Sequence, residues 1–128
     1  MNKIVLWVFR IIPALLFLQT LWFKFTAAPE AVYIFETLGM EPSGRIIIGV
    51  LELVTAVCLL FNATVIFGGL LGFGLMVGAI YFHITKLGIV VQHDGGLLFG
   101  LALANFVMTG IVLYCYRTRL PFVEEIFK

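Results

Sequence analysis

Residues 45–84 read RIIIGVLELVTAVCLLFNATVIFGGLLGFGLMVGAIYFHI, two long apolar runs separated by the short turn Asn62-Ala63. A helix needs about 20 mostly apolar residues to cross a bilayer. Neither run alternates apolar with polar residues, so both are predicted to be helices rather than strands. Because the turn between them is so short, the two helices are predicted to form an antiparallel pair within a membrane.

Two further apolar runs flank this pair, which gives predicted spans over 4–23, 45–61, 64–84 and 97–116. Hydrophobic residues make up 62% of the 128 residues and charged residues 12%, whereas a soluble domain has about half and about a quarter. The chain is therefore predicted to be an all-α, polytopic membrane protein, one four-transmembrane-helix bundle over residues 1–128, with the lipid bilayer around it. The net charge of +1 without a basic patch argues against a nucleic acid partner.

The connection between the first and second spans is long enough for a short extra helix, predicted over 29–38. Pro29 suits the first turn of a helix, and Gly39 suits the position after its end. Lys3, Arg117, Arg119 and Lys128 lie on one side of the predicted membrane. The other side has fewer basic residues and several acidic ones, so both termini are predicted to be cytoplasmic.

Each predicted span places a polar residue on the same face as small residues, which favour close helix contacts in lipid. These faces are predicted to point inward: Arg10, Ala14, Phe17, Leu21 and Lys24; Arg45, Gly49, Glu52, Ala56 and Leu59; Val65, Gly68, Gly72, Met76, Ala79 and His83; Leu98, Ala102, Asn105, Thr109 and Val112. Gly74 and Gly78 form a second small pair, which predicts another contact face of the third span. That contact lies either within the bundle or with a second copy, in a homo-oligomer.

Glu52 is the polar residue that most needs a partner, because a charge inside a membrane helix costs at least about 2.5–3.5 kcal/mol. Lys24, Arg45 and His83 are predicted to lie in the same half of the bundle. The hypothesis is one polar cluster in which Glu52 pairs with Lys24 or Arg45, with His83 nearby. It serves either to fix the helix register or to bind a polar head group such as that of a quinone.

Other polar residues are predicted to be structural. Arg10 is interpreted as an anchor that reaches the cytoplasmic interface, and Asn105 as the donor or acceptor of a hydrogen bond between helices. A metal site formed by His83, His93 and Asp94 is the least favoured alternative, so no metal is predicted. Cys58 and Cys115 do not form a Cys-x-x-Cys pair, which argues against a thiol oxidoreductase.

At these residues the sequence resembles the DoxX family of small bacterial membrane proteins. The resemblance rests on Arg10 early in the first span, Lys24 near its end and Glu52 in a glycine-containing second span. The stretches HITKLGI at 83–89 and QHDGGLLF at 92–99 are similar to one DoxX-like subgroup. Leu21 replaces the glycine of the family's Gly-x-x-Lys pattern. The resemblance implies four helices with a short helical segment after the first, in a bacterial inner membrane.

The resemblance also implies two functions, since some members are subunits of quinone-linked oxidoreductases and related animal proteins are membrane chaperones. The first hypothesis is a quinone-binding subunit that needs a redox partner protein and is not an enzyme on its own. The alternative is a non-catalytic assembly factor. A small-molecule transporter, acting as an oligomer, is a weaker third hypothesis.

Overall fold

A computed structural model describes residues 2–91 and 93–119, and these residues form a bundle of helices. The elements are α1 (Lys3–Phe25), α2 (Pro29–Thr37), α3 (Ser43–Leu60), α4 (Val65–Phe82), a π-helical turn (His83–Leu87) and α5 (Leu97–Cys115), followed by a short 3-10 turn (Arg117–Arg119). Within the described chain, four helices are long and apolar enough to cross a membrane. The predicted four-span, all-helical fold with its short extra helix is confirmed.

The helices begin and end where local chemistry favours it. The Asn2 side chain accepts a hydrogen bond from the Ile4 backbone N–H at 2.7 Å, and so caps α1. Pro29 opens α2, where its missing N–H costs no hydrogen bond. The π-helical turn extends α4 to a span of 23 residues and stops at Gly88, whose φ of +81° suits glycine.

The four spanning helices alternate in direction, so the bundle has two distinct ends. The start of α1, the α3–α4 turn and the end of α5 lie together, and we call this the terminal end. The α1–α3 connection with α2, together with the α4–α5 connection, forms the loop end. Exposed Trp7 and Tyr114 lie near the terminal end and exposed Trp22 and Tyr81 near the loop end. Such aromatic residues are typical of the two membrane–water interfaces.

The centre of the bundle lies at Gly72 of α4. A methyl group added there would be 2.9 Å from Thr109 Cγ2 on α5, 3.1 Å from Thr55 Cγ2 on α3 and 3.3 Å from Phe17 Cε2 on α1. All four spanning helices therefore meet at this glycine. One turn away, Gly68 brings α4 against the α3 backbone, because a methyl group there would be 2.8 Å from the Leu59 nitrogen.

Gly74 and Gly78 face away from the rest of the chain. A methyl group added at either position would meet nothing within 4 Å. The second contact face of α4 within the bundle is instead at Gly69, whose added methyl group would be 3.1 Å from the Leu113 nitrogen of α5. Of the two alternatives for the Gly74 and Gly78 contact, packing within the bundle is wrong, because α5 approaches α4 on the side of Gly69.

Candidate functional site

A buried ion pair joins α1 and α3 towards the loop end. Lys24 Nζ lies 2.8 Å from Glu52 Oε1, and only 16% and 7% of the two side chains are exposed. The Thr20 hydroxyl lies 3.3 Å from Glu52 Oε2 and 2.9 Å from its own helix's Phe17 carbonyl oxygen. The sequence allowed either Lys24 or Arg45 as the partner of Glu52, and in the structure the partner is Lys24.

The close approach of α1 and α3 beside this pair depends on Gly49. That residue lies almost one turn before Glu52, and a methyl group there would be 2.8 Å from the Phe25 ring. The ring of Phe25, the last residue of α1, therefore rests directly against the α3 backbone. Because both helices are held at this point, Lys24 and Glu52 face each other at ion-pair distance.

Arg45 has a different partner from the predicted one. Its Nε lies 2.9 Å and 3.0 Å from the two carboxylate oxygens of Glu41. Its Nη1 donates to the Lys24 carbonyl oxygen. Arg45 therefore fastens the end of α1 to the start of α3, and it holds the backbone of Lys24 rather than the carboxylate of Glu52.

His83 also lies outside the Lys24–Glu52 pair. Its Nδ1–H donates to the Gly88 carbonyl oxygen at 3.0 Å, and its ring meets the Phe99 ring edge-on at 5.5 Å. No hydrogen bond joins it to Glu52. The π-helical turn brings the His83 imidazole to the α4–α5 connection, so its bonds are made there and not to the Lys24–Glu52 pair.

Asp94 organises that connection. Its Oδ1 accepts hydrogen bonds from the backbone N–H groups of Val91 and Gly96, and its Oδ2 accepts one from Leu98. These bonds, the one from Leu98 first, hold the pKa of the Asp94 carboxyl below its ordinary value of 3.8. In residues 2–91 and 93–119, no three His, Cys, Asp or Glu side chains are grouped as metal ligands.

The two polar residues predicted to be structural are both buried. Arg10 is 1% exposed and donates to the Leu59 carbonyl oxygen and to Asn62 Oδ1, so its buried guanidinium anchors α1 to the turn between α3 and α4. Asn105 is 4% exposed, but its Oδ1 has no hydrogen-bond partner.

Sequence reasoning missed Thr20 and Glu41, although a signal existed for each. Thr20 lies four residues before Lys24 on α1, and residues at this spacing are neighbours on a helix. Glu41 lies four residues before Arg45 and just before the start of α3, the one acidic residue close to it in the sequence on that side. Lys24, Glu52 and Thr20 thus form a group that could bind a polar ligand at the loop-end half of the bundle. The lysine offers donors, and the carboxylate offers an acceptor of hydrogen bonds or of a proton.

No family model, no curated protein and no solved structure matches this chain.

Proposed function

We propose that this protein is a membrane subunit that binds a quinone-type ligand at the Lys24–Glu52 pair and works with a separate redox protein. The observation that carries the proposal is the pair itself, a lysine and a carboxylate 2.8 Å apart inside the membrane bundle. Ionisable residues within membrane helices are costly, and they commonly mark ligand or proton pathways. The pair also lies near the loop end, where a head group can enter from the interface.

The chemistry of the pair fits the two polar forms of such a ligand. The Lys24 ammonium can donate a hydrogen bond to a quinone carbonyl oxygen, and the Glu52 carboxylate can accept one from a quinol hydroxyl. We propose that electrons pass between the bound ligand and a redox centre on the partner protein. The protein is accordingly proposed to be a binding subunit and not an enzyme on its own.

Extraction of lipids and quinones from the purified protein in mild detergent tests this proposal. Wild type is compared with Glu52→Gln, which keeps the shape of the side chain and removes its charge. Glu36→Gln on α2 is the matched control, because Glu36 is exposed at the same end of the bundle. We expect stoichiometric quinone in wild type and in Glu36→Gln, and its loss from folded Glu52→Gln. Absence of quinone from wild type would refute the proposal.

A second candidate, a non-catalytic assembly factor, is favoured by the outward Gly74 and Gly78. Small residues four apart on a lipid-facing helix allow another helix to approach closely. If this face supports assembly, a Gly74→Leu, Gly78→Leu double variant should fail to restore the level of a membrane complex that falls when the gene is deleted. An unchanged membrane proteome in the deletion strain would exclude this candidate.

The resemblance to the DoxX family supports the redox proposal and a bacterial inner-membrane location. The structure agrees with the family only at the level of architecture, as four spans with a short helix after the first. The family residues Arg10, Lys24 and Glu52 are all buried or half-buried here. Membership of that family and the location both remain proposals.

A further inference from the structure

Arg10 makes only part of its possible hydrogen bonds. Its Nε donates to the Leu59 carbonyl oxygen and its Nη1 to Asn62 Oδ1, both at 2.8 Å. Its Nη2 is buried and has no hydrogen-bond partner. An arginine has five N–H donors, and leaving buried ones unpaired is costly. The geometry therefore leaves one NH2 group of a buried guanidinium unused.

The charge of Arg10 is also uncompensated within the described part of the chain. The acidic residues there are Glu30, Glu36, Glu41, Glu52 and Asp94, and all of them belong to the loop-end half of the bundle. At the terminal end, the other charged residues of the described chain are Lys3, Arg117 and Arg119, which are all basic. A buried charge without an opposite charge is strongly unfavourable. An anion at this end would remove that penalty.

The guanidinium lies at the terminal end of the bundle. Asn62, which accepts from Nη1, belongs to the turn between α3 and α4 and so marks the end of the bundle. Tyr116, just beyond the end of α5, places its ring centroid 5.9 Å from Arg10 Cζ. Interfacial aromatic residues and basic side chains are the usual surroundings of phospholipid phosphates.

We propose that Arg10 binds a phosphate group at the terminal end, through Nη2, as part of a phospholipid head group or as free phosphate. Arginine suits this ligand because its planar fork matches two phosphate oxygens. Trp7 stacks on the guanidinium, with its ring centroid 3.6 Å from Cζ, and 36% of Trp7 is exposed. The Trp7 indole thus covers one face of the guanidinium, and exposed Lys3 adds positive charge at the same end of the bundle.

The test measures binding to the full-length protein in an uncharged detergent. The probes are dioleoyl phosphatidylglycerol, dioleoylglycerol, which has the same tails without phosphate, and inorganic phosphate. Native mass spectrometry counts bound molecules, and thermal unfolding reports stabilisation. We expect one tightly held phosphatidylglycerol and a raised Tm, with neither effect from dioleoylglycerol. The same effect from inorganic phosphate would support the site and identify free phosphate as sufficient.

Arg10→Lys keeps the positive charge but loses the planar fork, so we expect roughly tenfold weaker binding, as for the loss of one charge-assisted hydrogen bond. Arg117→Met is the matched control, because Arg117 is an exposed arginine at the same end and should change binding little. Equal loss in both variants, or equal retention in both, would overturn the proposal. If Arg10→Lys does not fold, the wild-type protein alone still tests the proposal. Wild type that binds no phosphatidylglycerol and does not respond to inorganic phosphate would overturn the proposal.

The chain's own Glu124 and Glu125, which lie outside the described residues, are the competing counter-ions. A double Glu124→Gln, Glu125→Gln variant distinguishes the two cases. If phosphatidylglycerol binds this variant as tightly as wild type, the phosphate site stands. The other outcome is that the double variant and Arg10→Lys each lower stability and that combining them lowers it no further. Glu124 or Glu125 is then the partner of Arg10, and the proposal is wrong.

Discussion

The buried polar residues distinguish this bundle from a purely apolar one. Lys24 and Glu52 neutralise each other at 2.8 Å, so the bundle buries a dipole in place of two separate charges. Truncating one partner of a buried pair is far more damaging than replacing both by apolar residues, because the remaining charge stays buried without a counter-ion. Single and double variants of Lys24 and Glu52 can therefore distinguish the structural role of the pair from its proposed role in ligand binding.

Lys24→Met should lower the free energy of unfolding by about 3–5 kcal/mol, since it leaves the Glu52 carboxylate unpaired. Combining Lys24→Met with Glu52→Leu should recover most of that loss, because the double variant buries no charge. Unfolding in mixed micelles of mild detergent and sodium dodecyl sulfate measures both. A double variant as unstable as Lys24→Met alone would mean that the pair does not account for the loss.

Asp94 should make the stability of the α4–α5 connection depend on pH. Its pKa is lowered in the folded protein, so its stabilising effect is fully present above the ordinary value of 3.8 and is lost as pH falls through the lower, folded pKa. Asp94→Asn removes the titrating group and two of its lone-pair acceptors. The Tm difference between wild type and Asp94→Asn should therefore shrink as pH falls from 6 to about 2. A difference that stays constant over this range would contradict the assignment.

Among the helices, α4 contains two groups of glycines, one packed against neighbouring helices and one facing outward. Gly68 and Gly69 bring α4 against the backbones of α3 and α5, and Gly72 lets side chains of the other three spanning helices approach α4, while Gly74 and Gly78 face outward. The two groups cannot be distinguished by composition, since both consist of glycines a few residues apart in one apolar run. Only the positions of the neighbouring helices decide which glycines are needed for packing.

Gly72→Leu and Gly74→Leu form a matched pair for this difference. At Gly72 a larger side chain meets Thr109, Thr55 and Phe17, and overpacking should lower the free energy of unfolding by about 3 kcal/mol or more. At Gly74 the leucine extends into lipid, so stability should change by less than about 0.5 kcal/mol. The same detergent unfolding measurement compares them. Strong destabilisation by Gly74→Leu would show that its face is covered, most simply by a second copy.

For the whole molecule, orientation in the membrane is the property to test first. The described chain has its first helix beginning and its last helix ending at one end of the bundle, and the basic residues predict that this end is cytoplasmic. In a protein with Cys58→Ala and Cys115→Ala, a His93→Cys substitution provides a single cysteine. That cysteine should react with a membrane-impermeant maleimide on intact cells. A cysteine at position 2 should react only after lysis. The reverse pattern would invert the proposed orientation.

The fold could be predicted from the sequence because a single physical requirement, burial in lipid, determines the length of each helix and the small, polar face that it turns inward. The predicted inward faces are all buried or half-buried, from Ala14 on α1 to Val112 on α5. The partners of the charged side chains were harder to predict from the sequence. Arg45 and His83 lie on the predicted faces, but local bonds to Glu41 and Gly88 direct them away from Glu52. Helix periodicity gives the face of a residue and not the direction of its side chain.

The meeting of four helices at Gly72 has a consequence for insulation across the membrane. The contact with Phe17, Thr55 and Thr109 closes the bundle between the Lys24–Glu52 pair and the Arg10 guanidinium. An ion entering from the loop end would meet this packed contact before it reached the terminal end, and the voltage of a surrounding membrane would fall across the contact. A single copy of the chain is therefore expected to insulate one end of the bundle from the other, since passage of an ion between them would require the helices to move apart.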